Sequence, residues 1–408
     1  MALAAGLAAR GRHVTAVTPF SEQGSSDNLT HVPVPNTMYL FGDNMFSLGE
    51  RGAFGLIMTL FRFGVSSFEI FLHTESVRRL FLAEHKFDVM IIEEFFSECF
   101  LPLAHSLRIP VIGVATISPT SWMADIVGSP SPCASVPDTF LWYTDRMSFL
   151  ERLHNAAFAT LSKVTRELYY KPRLEAVSRQ YLNSTALPSV SDTEKNTSVL
   201  LSNTHVSMSF PRPLSPNLIE IGGVHIKPPQ KLPQYFQKIL DDAKDGVILF
   251  SLGSNLRSSD MPEVKTKAFF ATFSKMKQIV LWKWEARKSD ENVRLCITHG
   301  GLLSVTEAVH HGVPLVVVPF FAYQHFNVRQ AERLGYAVRL DFSNITADSL
   351  TWALTEALNN PRAREVSRIF HDRPRAPLEE AVWWTEYVVK HRGATALRSA
   401  GQTCAGTR

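Results

Sequence analysis

The sequence predicts an α/β protein of two domains, each built on a parallel sheet. Three observations carry that expectation. Short apolar runs alternate with helical stretches along the chain. A proline-rich segment interrupts the alternation near its middle. The length of 408 residues accommodates two or three domains at roughly 150 residues each.

The runs rich in β-branched residues read as buried strands at Val14 to Thr18, Val89 to Ile92, Val111 to Val114, Val247 to Leu252, Ile279 to Trp284, Leu295 to Thr298 and Leu315 to Val318. Helical stretches lie between them at Ala4 to Arg10, Glu75 to Glu84, Pro233 to Ala243, Gln324 to Leu334 and Ala347 to Leu358. The stretch Ser118 to Asn203 differs, with a Ser/Pro-rich loop (Ser129 to Pro137) and then a long helical pattern from Asp145 to Leu182. Six prolines favour extended chain from Pro211 to Pro233, which places the linker there. The expected division is residues 1–215, residues 235–380, and a last helix with a tail over 381–408. In that helix, Pro377 to Lys390, the stripe Trp383, Trp384, Tyr387 and Val388 suits packing back on the first domain. Two such domains leave a cleft at the carboxyl ends of their strands, where ligands bind.

Composition excludes several classes. Hydrophobic residues make up 45% and charged residues 20% of the chain, an ordinary globular balance. The net charge of +4 is spread without a basic stripe, which argues against nucleic acid. Cys99, Cys133, Cys296 and Cys404 are far apart, so neither a zinc site nor a disulfide framework is indicated. Sequons at Asn28, Asn183, Asn196 and Asn344 are as frequent as chance allows. No run of 18 apolar residues occurs, and Met1 to Arg10 is short for a signal peptide. The chain as written therefore reads as soluble.

The strongest local signal is the run from Leu295 to Val309. A strand ends at Thr298, Gly300 and Gly301 make the turn, and a helix begins near Leu302. Helix N-termini present unpaired N–H groups and partial positive charge, which suits a diphosphate. Ser304 adds a hydroxyl in the first turn, and Glu307, a turn later, suits a ribose diol. A strand-to-helix turn with glycine for packing and no ligand fits the spacing equally well. His310 and His311 point to different helix faces, so a shared metal ion is not expected.

Here a resemblance becomes specific. The segment Leu295 to Asn327, with its Gly312-Val-Pro turn and Pro319 to Gln324 stretch, resembles the UDP-glycosyltransferase signature. So do Gly246 to Asn255, Val280 to Glu285, Pro211-Arg-Pro with Ile221-Gly-Gly223, and Trp384 to Tyr387 with Arg392-Gly393. The Leu302-Leu303 pair is similar to the arthropod branch. The resemblance implies a GT-B fold, with two Rossmann-like domains flanking a cleft and the last helix crossing back. It implies transfer of a hexosyl or glucuronosyl group from a UDP-sugar to small lipophilic hydroxyl acceptors with inversion. The UDP-sugar is a co-substrate, and no cofactor or metal is implied. It also implies a role in detoxification, an endoplasmic reticulum membrane setting for the family, and a homo- or hetero-oligomer with other members. Ser254, His299, Gly300, Gly301, Ser304, Glu307 and Gln324 match donor-binding positions.

The chain departs from the pattern at several points. The family's base histidine precedes the helix that reads Ala4 to Arg10, so it is expected to be absent from this chain, and His13, at the next strand's entry, reads as structural. The acid that would orient the base is Glu94 or Glu98, where many members have aspartate; solvated loop charges are the other reading. Only Glu285 to Asn292 join Trp284 to Val293, too few for a crossover between parallel neighbours. A strand-and-helix unit carrying the uracil-stacking tryptophan is therefore expected to be missing. Tyr323 stands where aspartate is expected before Gln324. A catalytically inactive homologue that binds lipophilic ligands, or partners intact transferases, is the alternative to an active transferase. An NAD-dependent oxidoreductase is disfavoured, because no strand is followed by G-x-G-x-x-G with an acid about 20 residues on.

Overall fold

The computed structural model describes residues 1–20, 27–41, 48–49, 51–82, 86–182, 188–229, 231–253, 256–283 and 293–399. Within them all strand pairs are parallel. In the N-terminal half, β1 (Val14–Thr18) pairs with β2 (Leu29–Pro33). A second sheet runs in the order β3 (Met90–Glu93), β4 (Val111–Ala115), β5 (Thr197–Ser202), β6 (Leu218–Glu220). In the C-terminal half, β7 (Val247–Ser251), β8 (Ile279–Trp282), β9 (Val293–Thr298), β10 (Leu315–Val317) and β11 (Ala337–Arg339) form one sheet, ordered β11-β10-β9-β7-β8. This is the doubly wound α/β architecture that continuous Val/Ile/Leu runs require, because both faces of such sheets are covered.

One topological expectation is corrected. β8 and β9 are not neighbours: both pair with β7, on opposite edges. Residues 284–292, which join them in sequence, lie outside the described ones.

The longest helix of the N-terminal half, Ala53–His73, was not anticipated. It has the length and composition to cross a membrane, although no uninterrupted apolar run exists. Its Leu56, Ile57, Phe61, Phe68 and Leu72 are buried in the N-terminal core with Trp122, Phe140 and Tyr170. The long helical pattern is also real but broken. Helix Phe149–Thr165 starts at a Ser148/Glu151 capping box, passes through a π-helical turn at Arg166–Tyr170, and continues as Lys171–Leu182.

The last helix, Pro377–Lys390, packs on the N-terminal sheet. Ala381 and Val388 join Ile112, Val199, Leu201, Ile219 and Ile221 in one core cluster. The stripe differs from expectation. Ala381, Val382, Thr385 and Val388 are the buried residues, Trp384 and Tyr387 flank them, and Trp383 is exposed, stacked on Tyr387. Small residues at i, i+4 let the helix approach the sheet closely, which a row of indoles would prevent. Opposite this helix, Gly6 lies against Leu378, tying the first helix to the last. The two halves also meet along the Tyr323–Leu334 helix, where Trp142 stacks on His325 at 4.0 Å and Asp145 pairs with Arg333 at 3.0 Å.

Candidate functional site

The carboxyl ends of β7, β9 and β10 are in register, with Ser251 and Val317 both opposite Thr298. The chain leaves β9 through His299-Gly300-Gly301 and enters the helix Leu302–His310, whose N-cap is Gly301. Gly300 has φ +88°, and a β-carbon there would stand 2.9 Å from Val317 Cγ1 and 3.3 Å from the Gln324 carbonyl oxygen. No other residue fits both the backbone and the space.

His299 lies across this turn. It is 7% exposed. Burial first, and then the Lys283 ammonium, push its imidazole down to about 4, so it is neutral at physiological pH. Lys283 Nζ donates to the Gly253 carbonyl at 2.7 Å, bringing a cation to the same sheet edge. Asn327, buried, donates to the Gly300 carbonyl at 2.9 Å and holds the turn from below. Neither Lys283 nor Asn327 was singled out from the sequence. Both lie inside segments that carried the resemblance, so the signal was present but unweighted.

Ser304 is half-buried and Glu307 exposed on the open face of the helix. His225, from the segment after β6, points its Nε2 at the Leu303 carbonyl (3.3 Å) and toward Glu307 Oε1 (3.8 Å). His299, Gly300, Gly301, Ser304 and Glu307 thus share one strand end and the helix that follows. Ser254 lies outside the described residues, but its neighbour Gly253 touches the His299 ring. Gln324 is 3% exposed, and its side-chain oxygen accepts from the N–H groups of Phe320 and Phe321 at 2.9 and 3.3 Å. Here it braces the loop before its own helix. Tyr323 packs against the N-terminal core. Burial, followed by the nearby Glu93 carboxylate, raises its phenol to about 12.

Of the three acids at and after the end of β3, Glu93 is exposed, whereas Glu94 and Glu98, the expected orienting acids, are buried. Side chains alternate along a strand, so Glu93 and Glu94 face opposite ways. Glu98 is buried, bonded to Arg166 (2.7 Å) and to the Tyr170 hydroxyl (3.0 Å). Arg166 also pairs with Glu194, which binds Lys171 at 2.7 Å. Glu94 faces the same interior cluster, and neither of its carboxyl oxygens has a hydrogen-bond partner. Burial, then Glu98 and Glu194, raise its carboxyl well above the usual range. Glu93 reaches solvent and accepts from the Thr116 hydroxyl at 2.5 Å. Loss of water pushes its carboxyl up, opposed by the Thr116 hydrogen bond and by the Met1 ammonium. The start of the first helix, Ala2–Ala9, is therefore near this carboxylate. His13 is exposed at the entry to β1.

Comparison with known proteins shows the family and the fold. The family "UDP-glucoronosyl and UDP-glucosyl transferase" matches residues 68–292 and 290–405. UDP-glucosyltransferase 2 of Dactylopius coccus is 33% identical over 97% of this chain and 82% of its own length. Human UDP-glucuronosyltransferase 2A3 is 32% identical over 81% of this chain and 67% of its own. Among solved structures, the glycosyltransferase VinC in complex with dTDP superposes with a TM-score of 0.61 at 17% identity, covering 95% of each chain. The kitacinnamycin glycotransferase gives 0.61 at 17% identity, covering 96% of this chain and 94% of that one. These two show the GT-B fold.

Proposed function

Since this chain belongs to the UDP-glycosyltransferase family, we propose that it holds the diphosphate of a UDP-sugar at the start of the Leu302–His310 helix and transfers the sugar to a small lipophilic hydroxyl compound. The observation that carries this reading is the glycine-lined turn around His299. The first N–H groups of a helix have no intrahelical acceptor, and each favourable charge placed there is worth about 0.3–1 kcal/mol, up to about 2 in partly buried geometry. Gly300 and Gly301 remove the side chains that would keep a phosphate away. The neutral His299 can offer an N–H without a competing charge, and Ser304 a hydroxyl. Glu307, one turn on, can accept from a ribose diol while staying clear of the phosphates.

In the acceptor half, Glu93 is the carboxylate that would steer a proton-accepting group at the cleft. Orientation of a base by an acid belongs to the general-base step, which contributes roughly 10²–10⁴-fold in rate. Inversion follows from a single displacement in which the acceptor oxygen attacks the anomeric carbon as UDP leaves. The acceptor is a lipophilic alcohol or phenol, and the sugar a hexose or hexuronic acid.

Purified chain titrated with UDP in a calorimeter, and incubated with UDP-sugars and phenols under mass-spectrometric readout, tests both halves of the reading. We expect UDP binding that Glu307→Ala weakens at least tenfold. Absence of UDP binding in folded protein would refute the donor assignment. Binding without glycoside formation would favour the alternative, a homologue that retains ligands without turnover. In that outcome the inward-turned Gln324 and the Tyr323 side chain are the first places to look.

A further inference from the structure

After β6 the chain runs through Ile221, Gly222, Gly223 and Val224 to His225, and it passes between the two halves. Gly222 donates to the Thr204 carbonyl at 2.9 Å, and its own carbonyl accepts from Arg373 Nη1 at 2.9 Å. Gly223 donates to Asn203 Oδ1 at 3.1 Å. A β-carbon on Gly222 would stand 2.5 Å from the Thr204 carbonyl oxygen, and one on Gly223, at φ +91°, would stand 2.9 Å from Phe370 Cζ. Only glycine fits at both points. The segment is thereby fixed from both sides, and it delivers His225 onto the helix Leu302–His310.

There the His225 Nε2 stands 3.3 Å from the Leu303 carbonyl oxygen and 3.8 Å from Glu307 Oε1. A carbonyl only accepts, so Nε2 carries the proton and Nδ1 the lone pair. Nδ1 is buried without a hydrogen-bond partner, and a second proton there would have no acceptor. Burial accordingly holds the imidazole below its ordinary value, opposed by the Leu303 carbonyl. His225 is therefore a neutral donor beside a carboxylate. A lysine or arginine in its place would pair with Glu307 and occupy the oxygens that a diol needs. The neutral ring restricts the carboxylate and leaves its charge in place. The Glu307 side chain is 48% exposed and that of His225 only 18%, so the ring is the fixed partner of the two. A glutamate ordered in advance gives up less rotamer freedom when it binds.

We propose that His225 is a positioning residue for the ribose of the donor. It holds Glu307 where the carboxylate accepts from the 2′- and 3′-hydroxyls, so that the site prefers a ribonucleotide to one lacking them. His225 acts only through Glu307, so its role rests on the donor reading given above.

Calorimetric titration of the full chain with UDP and with 2′,3′-dideoxy-UDP tests the proposal. The parent chain should bind UDP at least tenfold more tightly than the dideoxy compound. His225→Ala should lower that ratio at least threefold while dideoxy-UDP binding stays as in the parent. His225→Gln, whose amide N–H can reach the same carbonyl, should restore the ratio. His225→Ala/Glu307→Ala should be no less selective than Glu307→Ala alone, because a residue acting only through Glu307 adds nothing once Glu307 is gone. Thermal melts and circular dichroism check the fold of each variant. Should His225→Ala unfold, His225→Phe decides, since it keeps a ring and removes the N–H. Equal weakening of both ligands would show a purely structural role and overturn the proposal. An unchanged ratio, no rescue by glutamine, or a further loss in the double variant overturns it too. A parent chain that binds neither nucleotide removes the donor reading itself. UDP binding with a ratio indifferent to position 225 removes the role of His225 alone.

Discussion

A β-carbon on Gly253 would stand 2.5 Å from His299 Cε1, closer than real β-carbons approach any atom. A β-carbon on Gly301 would stand 2.6 Å from Nε2 of the same ring. The imidazole thus packs against two glycines, one from the loop after β7 and one from the helix entry. The turn is a packed object in which the missing β-carbons decide the fit.

Gly253→Ala should therefore cost more than Gly301→Ala in stability. Gly253 has φ +78°, a conformation that costs an L-residue roughly 1–2 kcal/mol, whereas Gly301 has φ −61°. Both variants should displace His299 and weaken UDP binding at least tenfold. Thermal melts and UDP titrations on the two variants separate the effects. Equal loss of stability with intact UDP binding would contradict this account of the turn.

Glu94→Gln should stabilise the protein at neutral pH. The native carboxyl is raised well above 4.5, so between that value and the native pKa the folded state holds a proton that the unfolded state releases. Stability then falls as pH rises through this window. The variant lacks that proton linkage, so its advantage should be visible at pH 7 and vanish below about pH 4, near the unfolded glutamate value. Melting curves from pH 4 to 8 check the sign. A variant less stable than the parent at pH 7 would show that the Glu94 carboxylate is ionised and compensated.

Arg166→Met should be among the most damaging single changes. It leaves Glu98 and Glu194 buried with one shared cation removed, and breaking a buried pair in this way costs about 3–5 kcal/mol. Adding Glu98→Gln should recover part of the loss, because it removes one of the stranded charges. Denaturant titrations of the single and double variants measure the recovery; simple additivity would rule out the coupling.

Tyr323→Asp should sharpen discrimination between UDP-sugar and UDP. A carboxylate at the start of the Tyr323–Leu334 helix faces the cleft near Glu93, and a charge-assisted hydrogen bond to a sugar hydroxyl is worth roughly 1.5–3 kcal/mol. We expect about tenfold tighter binding of the UDP-sugar with UDP affinity unchanged. Parallel calorimetric titrations distinguish this from a general loosening of the cleft, in which both affinities would fall.

Sequence alone determined the α/β class, the parallel strands and the glycine turn after Thr298. Each rests on local information: continuous apolar runs for strands buried on both faces, and glycine where the backbone adopts positive φ or approaches a neighbour. The segment Leu295 to Asn327 carries all of that within 33 consecutive residues. Only tertiary structure decided which of three neighbouring acids stays exposed. Glu93, Glu94 and Glu98 are equivalent as letters, but strand alternation and the positions of Arg166 and Tyr170 turn two of them inward. The same holds for β7 between β8 and β9, and for the burial of Ala381 in place of Trp383. Pairing order and helix approach are settled by contacts between residues far apart in the chain, and no local pattern encodes a distant neighbour.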